Sequence, residues 1–171
     1  MPIYKRMDRY LTKKIFDAAG VVNKYYKVCR WEYYNKVIEI IKEQFSDSKL
    51  VCELGPNRLP IINNSHTIEI ESETCPTYLM DATITPWPIS DKQYDLFIAL
   101  QVIEHLTGAQ QRVFGEIRRT SKSAIISLPY KWDCEGDCHH NIDETTIQTW
   151  TGCEPNETYF VGSRVIMVYR F

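Results

Sequence analysis

Apolar residues in the first 45 positions recur at the spacing of two helices. In the longer pattern they step three or four residues at a time, and charged residues fall between them. The members of this stripe are Trp31, Tyr34, Ile38, Ile41 and Phe45. Because an α-helix turns every 3.6 residues, the stripe forms one face, so the pattern predicts a helix that packs on a sheet. A shorter pattern of Met7, Leu11 and Ile15, which Gly20 ends, predicts a first helix.

After position 48 the pattern changes to short, continuous apolar runs. The clearest are residues 49–54 (KLVCEL), 94–100 (YDLFIAL) and 123–128 (SAIISL). Such runs are typical of strands buried on both faces, as in parallel sheets. Residues 66–71 alternate instead, and this pattern predicts a strand with Ile68 and Ile70 on one face. A further short strand is predicted at 78–80.

The connections between the first three strands are short. They are residues 56–65 and 72–76, whereas a crossover helix between adjacent parallel strands normally needs about a dozen residues or more. We therefore expect the helices after strands one and two to be pared down. Two runs near the C-terminus, 158–161 and 164–171, are joined by Gly162-Ser163 and predict an antiparallel hairpin.

Two further helices are predicted in the second half of the chain. Thr107 and Gln110 have the spacing of a capping box, which predicts a helix that starts there and ends near Arg119. Residues 142–150 predict another helix, with Asn141 or Asp143 as its cap. Alternating strands and helices indicate an α/β fold with a mostly parallel sheet.

Composition limits the classes of protein that fit. The chain has 171 residues, of which 44% are hydrophobic and 25% charged, and its net charge is −2. These values predict a single globular domain over 1–171, with a helical cover at 1–45 and an α/β core at 49–171. The charge predicts no bulk attraction to nucleic acid or to a membrane. No apolar run has the length of a membrane span and the N-terminus is too charged for a signal peptide, so we expect a cytoplasmic protein.

The first buried strand ends in a plausible ligand site. Ligands of open α/β sheets bind beyond the carboxyl ends of the strands, and Glu53 and Gly55 lie at that end of the first strand. A carboxylate there can accept hydrogen bonds from a ligand, and a glycine lets ligand atoms approach the backbone. The alternative is a buried strand followed by an ordinary turn.

The order of these elements, and the sequences within them, resemble the class I S-adenosylmethionine-dependent methyltransferases. The resemblance runs from about Leu50 to Phe171. It depends on ELGPN at 53–57, MDAT at 80–83, PWPISDKQYDLFIALQVIEHL at 86–106, SLP at 127–129 and the terminal hairpin. It implies a Rossmann-like fold with a C-terminal antiparallel hairpin, and S-adenosylmethionine as cofactor.

The resemblance also implies a set of cofactor-binding positions. The methionine part would lie against Glu53, Gly55, Pro56 and Asn57, the ribose against Glu69 or Glu71, the adenine against Asp81 and Ala82, and the underside against Gln101, Val102 and Ile103. Trp87 would add an aromatic ring that favours the sulfonium. The chain departs from the family's pattern in having only one glycine in the first loop, and in placing Arg58 near the expected cofactor.

Methyl transfer needs a base only where the acceptor must lose a proton. Candidates are His105, His139 and His140, because histidine titrates near neutral pH. For His105 the alternative is an imidazole at the start of a helix. His139 and His140 lie beyond the fifth strand, where the family usually places a substrate-facing loop.

The same loop contains soft metal donors. Cys134 and Cys138, one of the two histidines and Cys153 could bind zinc. The spacing Cys-x-x-x-Cys-His-His is not a strong zinc-finger signature, so no metal site is predicted, and zinc remains an alternative.

The sequence therefore predicts S-adenosylmethionine-dependent methyl transfer to a small-molecule or metabolite acceptor. One alternative is a degenerate methyltransferase fold that acts as a binding or partner protein. Another is an RNA methyltransferase that uses the basic, tyrosine-rich segment 4–34, although the dispersed lysines favour a solvated helical cover and argue against nucleic acid as a partner.

Overall fold

The computed structural model describes residues 8–20 and 24–171, without the side chains of 24–26. Met7, from the first predicted helix, and Tyr4, Lys5 and Arg6, from the basic segment, lie outside the described residues.

Among the described residues, seven strands form one sheet in the order β3-β2-β1-β4-β5-β7-β6. The strands are β1 (Val51–Leu54), β2 (His66–Glu69), β3 (Tyr78–Leu79), β4 (Leu96–Leu100), β5 (Ser123–Pro129), β6 (Glu157–Val161) and β7 (Arg164–Arg170). The first five are parallel, while β7 pairs antiparallel with both β5 and β6. The predicted α/β class, the mostly parallel sheet and the terminal hairpin are confirmed.

The strand order reverses between β1 and β4. The chain moves outward from β1 to β2 and β3, then returns to place β4 on the other side of β1. Glu53 of β1 is in register with Thr67 of β2 and with Ile98 of β4. Such a reversal opens a crevice at the carboxyl ends of the strands, which is where this class of sheet binds ligands.

In the described part of the chain, four α-helices cover the two faces of the sheet. They are α1 (Lys13–Ala18), α2 (Lys24–Gln44), α3 (Gln110–Thr120) and α4 (Glu144–Thr151). On one face α3 and α4 bury Val113, Phe114, Ile117 and Ile147. On the other face α2 buries Tyr34, Ile38 and Ile41 of the predicted stripe, and Tyr33, Val37 and Ile40 widen it. Trp31 is partly buried, and Phe45 is buried just after the end of the helix. The buried stripe of α2 is thus confirmed.

The first half of the sheet has pared-down connections, as predicted. No α-helix lies between β1 and β2 or between β2 and β3, where every residue is described; the second connection holds a single 3₁₀ turn, Ser72–Thr74. The helix α4 also follows the prediction, because the Asp143 carboxylate accepts a hydrogen bond from the Thr146 amide at 2.8 Å.

Several predicted boundaries are wrong. The strand β2 ends at Glu69, so Ile70 does not join the core and is 70% exposed. Leu11 is buried but precedes α1, because its amide donates to the Ile61 carbonyl at 2.8 Å. The segment at Leu11 pairs instead with the loop after β1, where Tyr10 forms an antiparallel bridge with Ile62, and this pairing overrides the side-chain pattern.

The predicted capping box of α3 is also wrong. The N-cap is Ala109, with no side-chain hydrogen bond, and Gln110 is buried. A turn in which the Ala109 amide donates to the Leu106 carbonyl, with Gly108 at φ +78°, delays the helix by two residues.

Among the described helices, none combines the length and the hydropathy that a bilayer crossing demands.

Candidate functional site: a cleft at the carboxyl ends of the strands

Apart from Glu53, which lies within β1, the predicted cofactor-binding residues lie at or just after the carboxyl ends of β1 to β4. Gly55, Pro56 and Asn57 follow β1, Glu69 ends β2 and Glu71 follows it, Asp81 and Ala82 follow β3, and Gln101 and Val102 follow β4. Because these strands are parallel neighbours, the fold brings the four groups to one edge of the sheet. We refer to this edge as the cleft.

The loop after β1 has a conformation that explains its single glycine. Gly55 has φ +62°, and its amide donates to the Ile68 carbonyl at 3.0 Å, which ties the loop to β2. A Cβ on Gly55 would lie 2.8 Å from Cγ2 of Val102. Asn57 has φ +55° and so takes a second left-handed position that a further glycine would otherwise hold. Asparagine tolerates this region better than most residues.

Glu53 stabilises the loop between β1 and β2. It is 2% exposed, and its two carboxylate oxygens accept hydrogen bonds from the Ile61 amide at 2.7 Å, the Ile62 amide at 2.8 Å and the Ser65 hydroxyl at 2.8 Å. The predicted position of Glu53 at an open crevice mouth is therefore wrong. This connection contains no α-helix, and the hydrogen bonds to the Glu53 carboxylate hold its backbone in place.

Glu69 joins the first loop to the end of β2. One carboxylate oxygen accepts a hydrogen bond from the Asn57 amide. Burial raises the pKa of this half-buried carboxyl, and the bond from Asn57 acts in the opposite direction. Glu71 is exposed and precedes the 3₁₀ turn. Of the two acids predicted for the ribose, Glu69 is the one that contacts the first loop.

Asp81 and Ala82 form a turn after β3. One oxygen of Asp81 accepts from the Thr83 amide at 2.8 Å and from the Thr83 hydroxyl at 2.7 Å, and these bonds lower the pKa of Asp81. The Ala82 carbonyl accepts from the Trp87 indole nitrogen at 3.0 Å.

Trp87 belongs to the core. It is 3% exposed and stacks on Phe97 with ring centroids 5.7 Å apart, so the prediction that its ring faces a sulfonium is wrong. Its indole instead fixes the turn at Ala82 from behind.

Gln101 and Val102 connect β4 to the cleft. Gln101 has φ +54°, and its side-chain amide donates to the Ser127 hydroxyl at 3.0 Å, while its backbone amide donates to the Ser127 carbonyl at 2.9 Å. Val102 packs against the open face of Gly55. Ile103 is buried and belongs to the core.

A buried acid follows these residues. Glu104 is 1% exposed, and neither carboxylate oxygen has a hydrogen-bond partner among the described residues. Burial raises the pKa of Glu104 to about 8, although Arg164 acts in the opposite direction. The Arg164 guanidinium lies 5.1 Å from the ring centroid of Tyr33 and 5.2 Å from that of Trp132. The sequence predictions assign no role to Glu104, although an acid directly after the apolar pair Val102-Ile103 is the signal for it.

His105 and His139 meet on the β5 side of the cleft. Their ring centroids are 4.8 Å apart, and the thiol of Cys138 lies 3.4 Å from His105 Nδ1 and 3.6 Å from His139 Nδ1. His139 Nδ1 also contacts a carboxylate oxygen of Asp137, and its ring stacks on Trp132. Burial lowers the pKa of His105. We call His105, Cys138 and His139 the triad.

The other candidates of this loop lie outside the triad. His140 Nδ1 accepts a hydrogen bond from the Cys134 amide at 3.1 Å, so this histidine holds the loop together. Cys153 follows α4, and no described group of metal-binding side chains contains Cys134, His140 or Cys153. Of the metal-binding set suggested by the loop sequence, only Cys138 and His139 lie together among the described residues. None of the six cysteines, all in the described part of the chain, forms a disulfide.

No protein-family model matches the sequence, and neither does any curated protein sequence. Solved structures do match the fold. Magnesium protoporphyrin IX methyltransferase from Synechocystis PCC 6803, with bound SAH, aligns with a TM-score of 0.62 at 14% identity over 91% of this chain and 90% of that one. The N-methyltransferase NodS from Bradyrhizobium japonicum WM9 aligns with a TM-score of 0.59 at 10% identity, over 83% and 96% of the two chains.

A third structure gives the same result. A SAM-dependent methyltransferase from Aquifex aeolicus aligns with a TM-score of 0.56 at 14% identity, over 81% of this chain and 96% of that one. These neighbours match nearly their whole length, and the resemblance in the sequence motifs points to the same group. The chain therefore has the fold of the class I S-adenosylmethionine-dependent methyltransferases.

Proposed function

We propose that this protein binds S-adenosylmethionine in the cleft and transfers its methyl group to a small-molecule acceptor that enters from the β5 side. The observation that supports this most strongly is the convergence of Gly55, Glu69, Asp81 and Gln101 at the edge where the strand order reverses. The fold alone does not establish the activity. The polar groups at that edge are the ones that a nucleoside and an amino acid require.

The adenosine half of the cofactor would use three features. The Glu69 oxygen that does not bind Asn57 would accept from the ribose hydroxyls, and Asp81 would accept from the exocyclic amine of adenine. Ile70 is 70% exposed and directly follows Glu69. An adenine ring packed on Ile70 would remove apolar surface from water, at about 25 cal/mol per Å². Contact with the adenine would account for the exposure of Ile70, which was predicted to lie inside β2 but follows its end.

The methionine half would lie by Gly55 and Gln101, while Glu53 would hold the loop and make no contact with the cofactor. Val102 fills the space next to Gly55, so the cofactor would pass beside that side chain. On the acceptor side, the candidate bases are His105 and His139, whose rings are in contact. His140 would stabilise the loop and would not act as a base.

The proposal is tested by calorimetric titration with S-adenosylmethionine and S-adenosylhomocysteine. Glu69→Gln keeps an oxygen for the Asn57 amide but loses one acceptor, so we expect binding at least tenfold weaker, about 1.4 kcal/mol. Asp81→Asn keeps the bonds from Thr83 and removes an acceptor for the adenine amine, with an expected loss of similar size. Glu71→Gln is the matched control and should change the affinity less than twofold.

The same titration decides between the two candidate functions. If the folded wild-type protein binds neither compound, the enzyme hypothesis is wrong and the chain is a methyltransferase fold that serves as a binding protein. If Glu71→Gln weakens binding and Glu69→Gln does not, the assignment of the ribose acid is wrong.

A further inference from the structure

We propose that the triad of His105, Cys138 and His139 is a binding site for a divalent transition metal of the zinc type, with one coordination position left open. The site lies beside the cleft, and its ligands come from two separate segments. His105 lies in the 3₁₀ turn after β4, while Cys138 and His139 lie in the loop after β5. Chain segments 33 residues apart therefore bring three metal donors together.

The distances fit a tetrahedral site. One ligand atom from each side chain can be chosen so that all three lie within 4.8 Å of one another. Zinc bonds of about 2.3 Å to sulfur and 2.0–2.1 Å to nitrogen put tetrahedral sulfur and nitrogen ligands about 3.6 Å apart. Cys138 Sγ lies 3.4 Å from His105 Nδ1 and 4.0 Å from His139 Nε2. A metal ion would need only small side-chain adjustments.

Asp137 supplies the outer contact that metal-binding histidines usually have. Its carboxylate contacts His139 Nδ1 and also accepts from the His139 backbone amide at 2.9 Å. A carboxylate bound to one ring nitrogen fixes the tautomer and directs the other nitrogen to the metal. His139 Nε2 is then the ligand atom, and Trp132 stacks on the ring and holds its plane.

Glu104 is an independent observation that points to a cation. It precedes His105, is almost fully buried, and has no hydrogen-bond partner for either oxygen among the described residues. A divalent cation held by the triad would place positive charge next to this carboxyl.

The donor set selects the kind of metal and the kind of site. Two imidazoles and one thiolate favour zinc or cobalt over magnesium and calcium, which prefer oxygen ligands. Three protein ligands, two of them on exposed residues, leave a tetrahedral ion one ligand short. An open position is typical of zinc sites that bind a small molecule, whereas structural zinc sites have four protein ligands. If the proposed function holds, a heteroatom of the acceptor is the ligand that fits there, and with metal bound His105 and His139 act as ligands and not as bases.

The experiment is a titration of the reduced full-length protein with Zn²⁺ and with Co²⁺ as a spectroscopic probe. We expect one equivalent of tightly bound metal and a near-ultraviolet thiolate-to-cobalt absorption band. Cys138→Ser should abolish the band, and His105→Ala should weaken metal binding by more than about a hundredfold, beyond the effect of losing an outer contact. Cys134→Ser, in the same loop, is the matched control and should leave both measurements unchanged.

The proposal is overturned if the wild-type protein binds less than stoichiometric metal, or if Cys138→Ser retains the band. It is also overturned if Cys134→Ser removes the band, because the thiol ligand would then be a different one. Cys138 is exposed, so its serine variant should keep the fold, which circular dichroism checks. Titration of the same samples with S-adenosylhomocysteine separates the two proposals, because the cofactor and the metal use different residues.

Discussion

At the scale of single residues, backbone conformation decides what the first loop can do. The sequence predicts a sharp turn at Gly55, and the positive φ confirms it. The positive φ of Asn57 was not predicted, because asparagine occupies many conformations and only a φ angle distinguishes them. A loop that departs from the family's glycine pattern thus keeps two left-handed positions.

Gly55→Ala is expected to destabilise the protein by about 1–2 kcal/mol, because alanine is strained at positive φ. It adds a clash, since the new Cβ would lie 2.8 Å from Val102 Cγ2. Urea denaturation measures the change. In the double variant with Val102→Ala, the loss of unfolding free energy caused by the clash should disappear, while the loss caused by the positive φ should remain.

Gly115→Ala is the matched control, because Gly115 lies inside α3 with no atom within 4 Å of its added Cβ. There alanine should stabilise the protein by about 0.5–1 kcal/mol. Equal effects at Gly55 and Gly115 would contradict this account of the turn.

At the scale of elements, patterns that repeat along the chain were predictable and contacts between distant segments were not. The stripe of α2 and the buried runs of β1, β4 and β5 follow from periodicity, because each buries a continuous face. The role of Glu53 does not follow, because its partners Ile61 and Ile62 lie in an irregular loop. His105 and Cys138 likewise meet only in the folded chain.

Glu53→Gln is expected to destabilise the protein by about 2–3 kcal/mol. Both carboxylate oxygens accept from backbone amides, and a glutamine amide nitrogen would face one of these donors and leave it unpaired. Chemical denaturation measures the loss, with the exposed Glu73→Gln as control. A cost below about 0.5 kcal/mol would show that the loop does not depend on this carboxylate.

At the scale of the whole molecule, Asp95 ties three strands together at their amino ends. Its carboxylate accepts from the Lys49 amide at 2.9 Å and the Leu50 amide at 3.1 Å, and it pairs with Lys122 at 2.8 Å. The bond from Lys122 and those two amides lower the pKa of Asp95 to about 2.

This lowered pKa predicts a pH dependence of stability. A carboxyl whose pKa is lower in the folded than in the unfolded protein stabilises the fold above its unfolded pKa of 3.8, and the stabilisation is lost as the pH falls towards 2. Asp95→Asn keeps an oxygen for the two amides but loses the charge, so its stability should fall less steeply between pH 4 and pH 2. The variant should keep part of the pH dependence of stability, because Glu144 and Glu157 also have pKa values of about 2. Parallel slopes in the two proteins would contradict the role given to Asp95.

The fold class was largely predictable at this scale, because buried runs, alternating helices and a terminal hairpin indicate a mostly parallel α/β sheet, but the strand order was not predicted. The cleft was predictable as a location, since ligands of such sheets bind beyond the carboxyl ends of the strands. Which of the residues near the cleft contact a ligand and which belong to the core was not predictable. Glu53 and Trp87 have the chemistry of ligand contacts but are enclosed by the core, and only their burial and partners reveal this.

The most direct test of the central claim is a crystal structure of the protein with S-adenosylhomocysteine. The account predicts the ribose hydroxyls on Glu69, the adenine amine on Asp81 with the ring against Ile70, and the amino acid part beside Gly55 and Gln101. Bound compound elsewhere on the protein, or a cleft without the compound at saturating concentration, would contradict it.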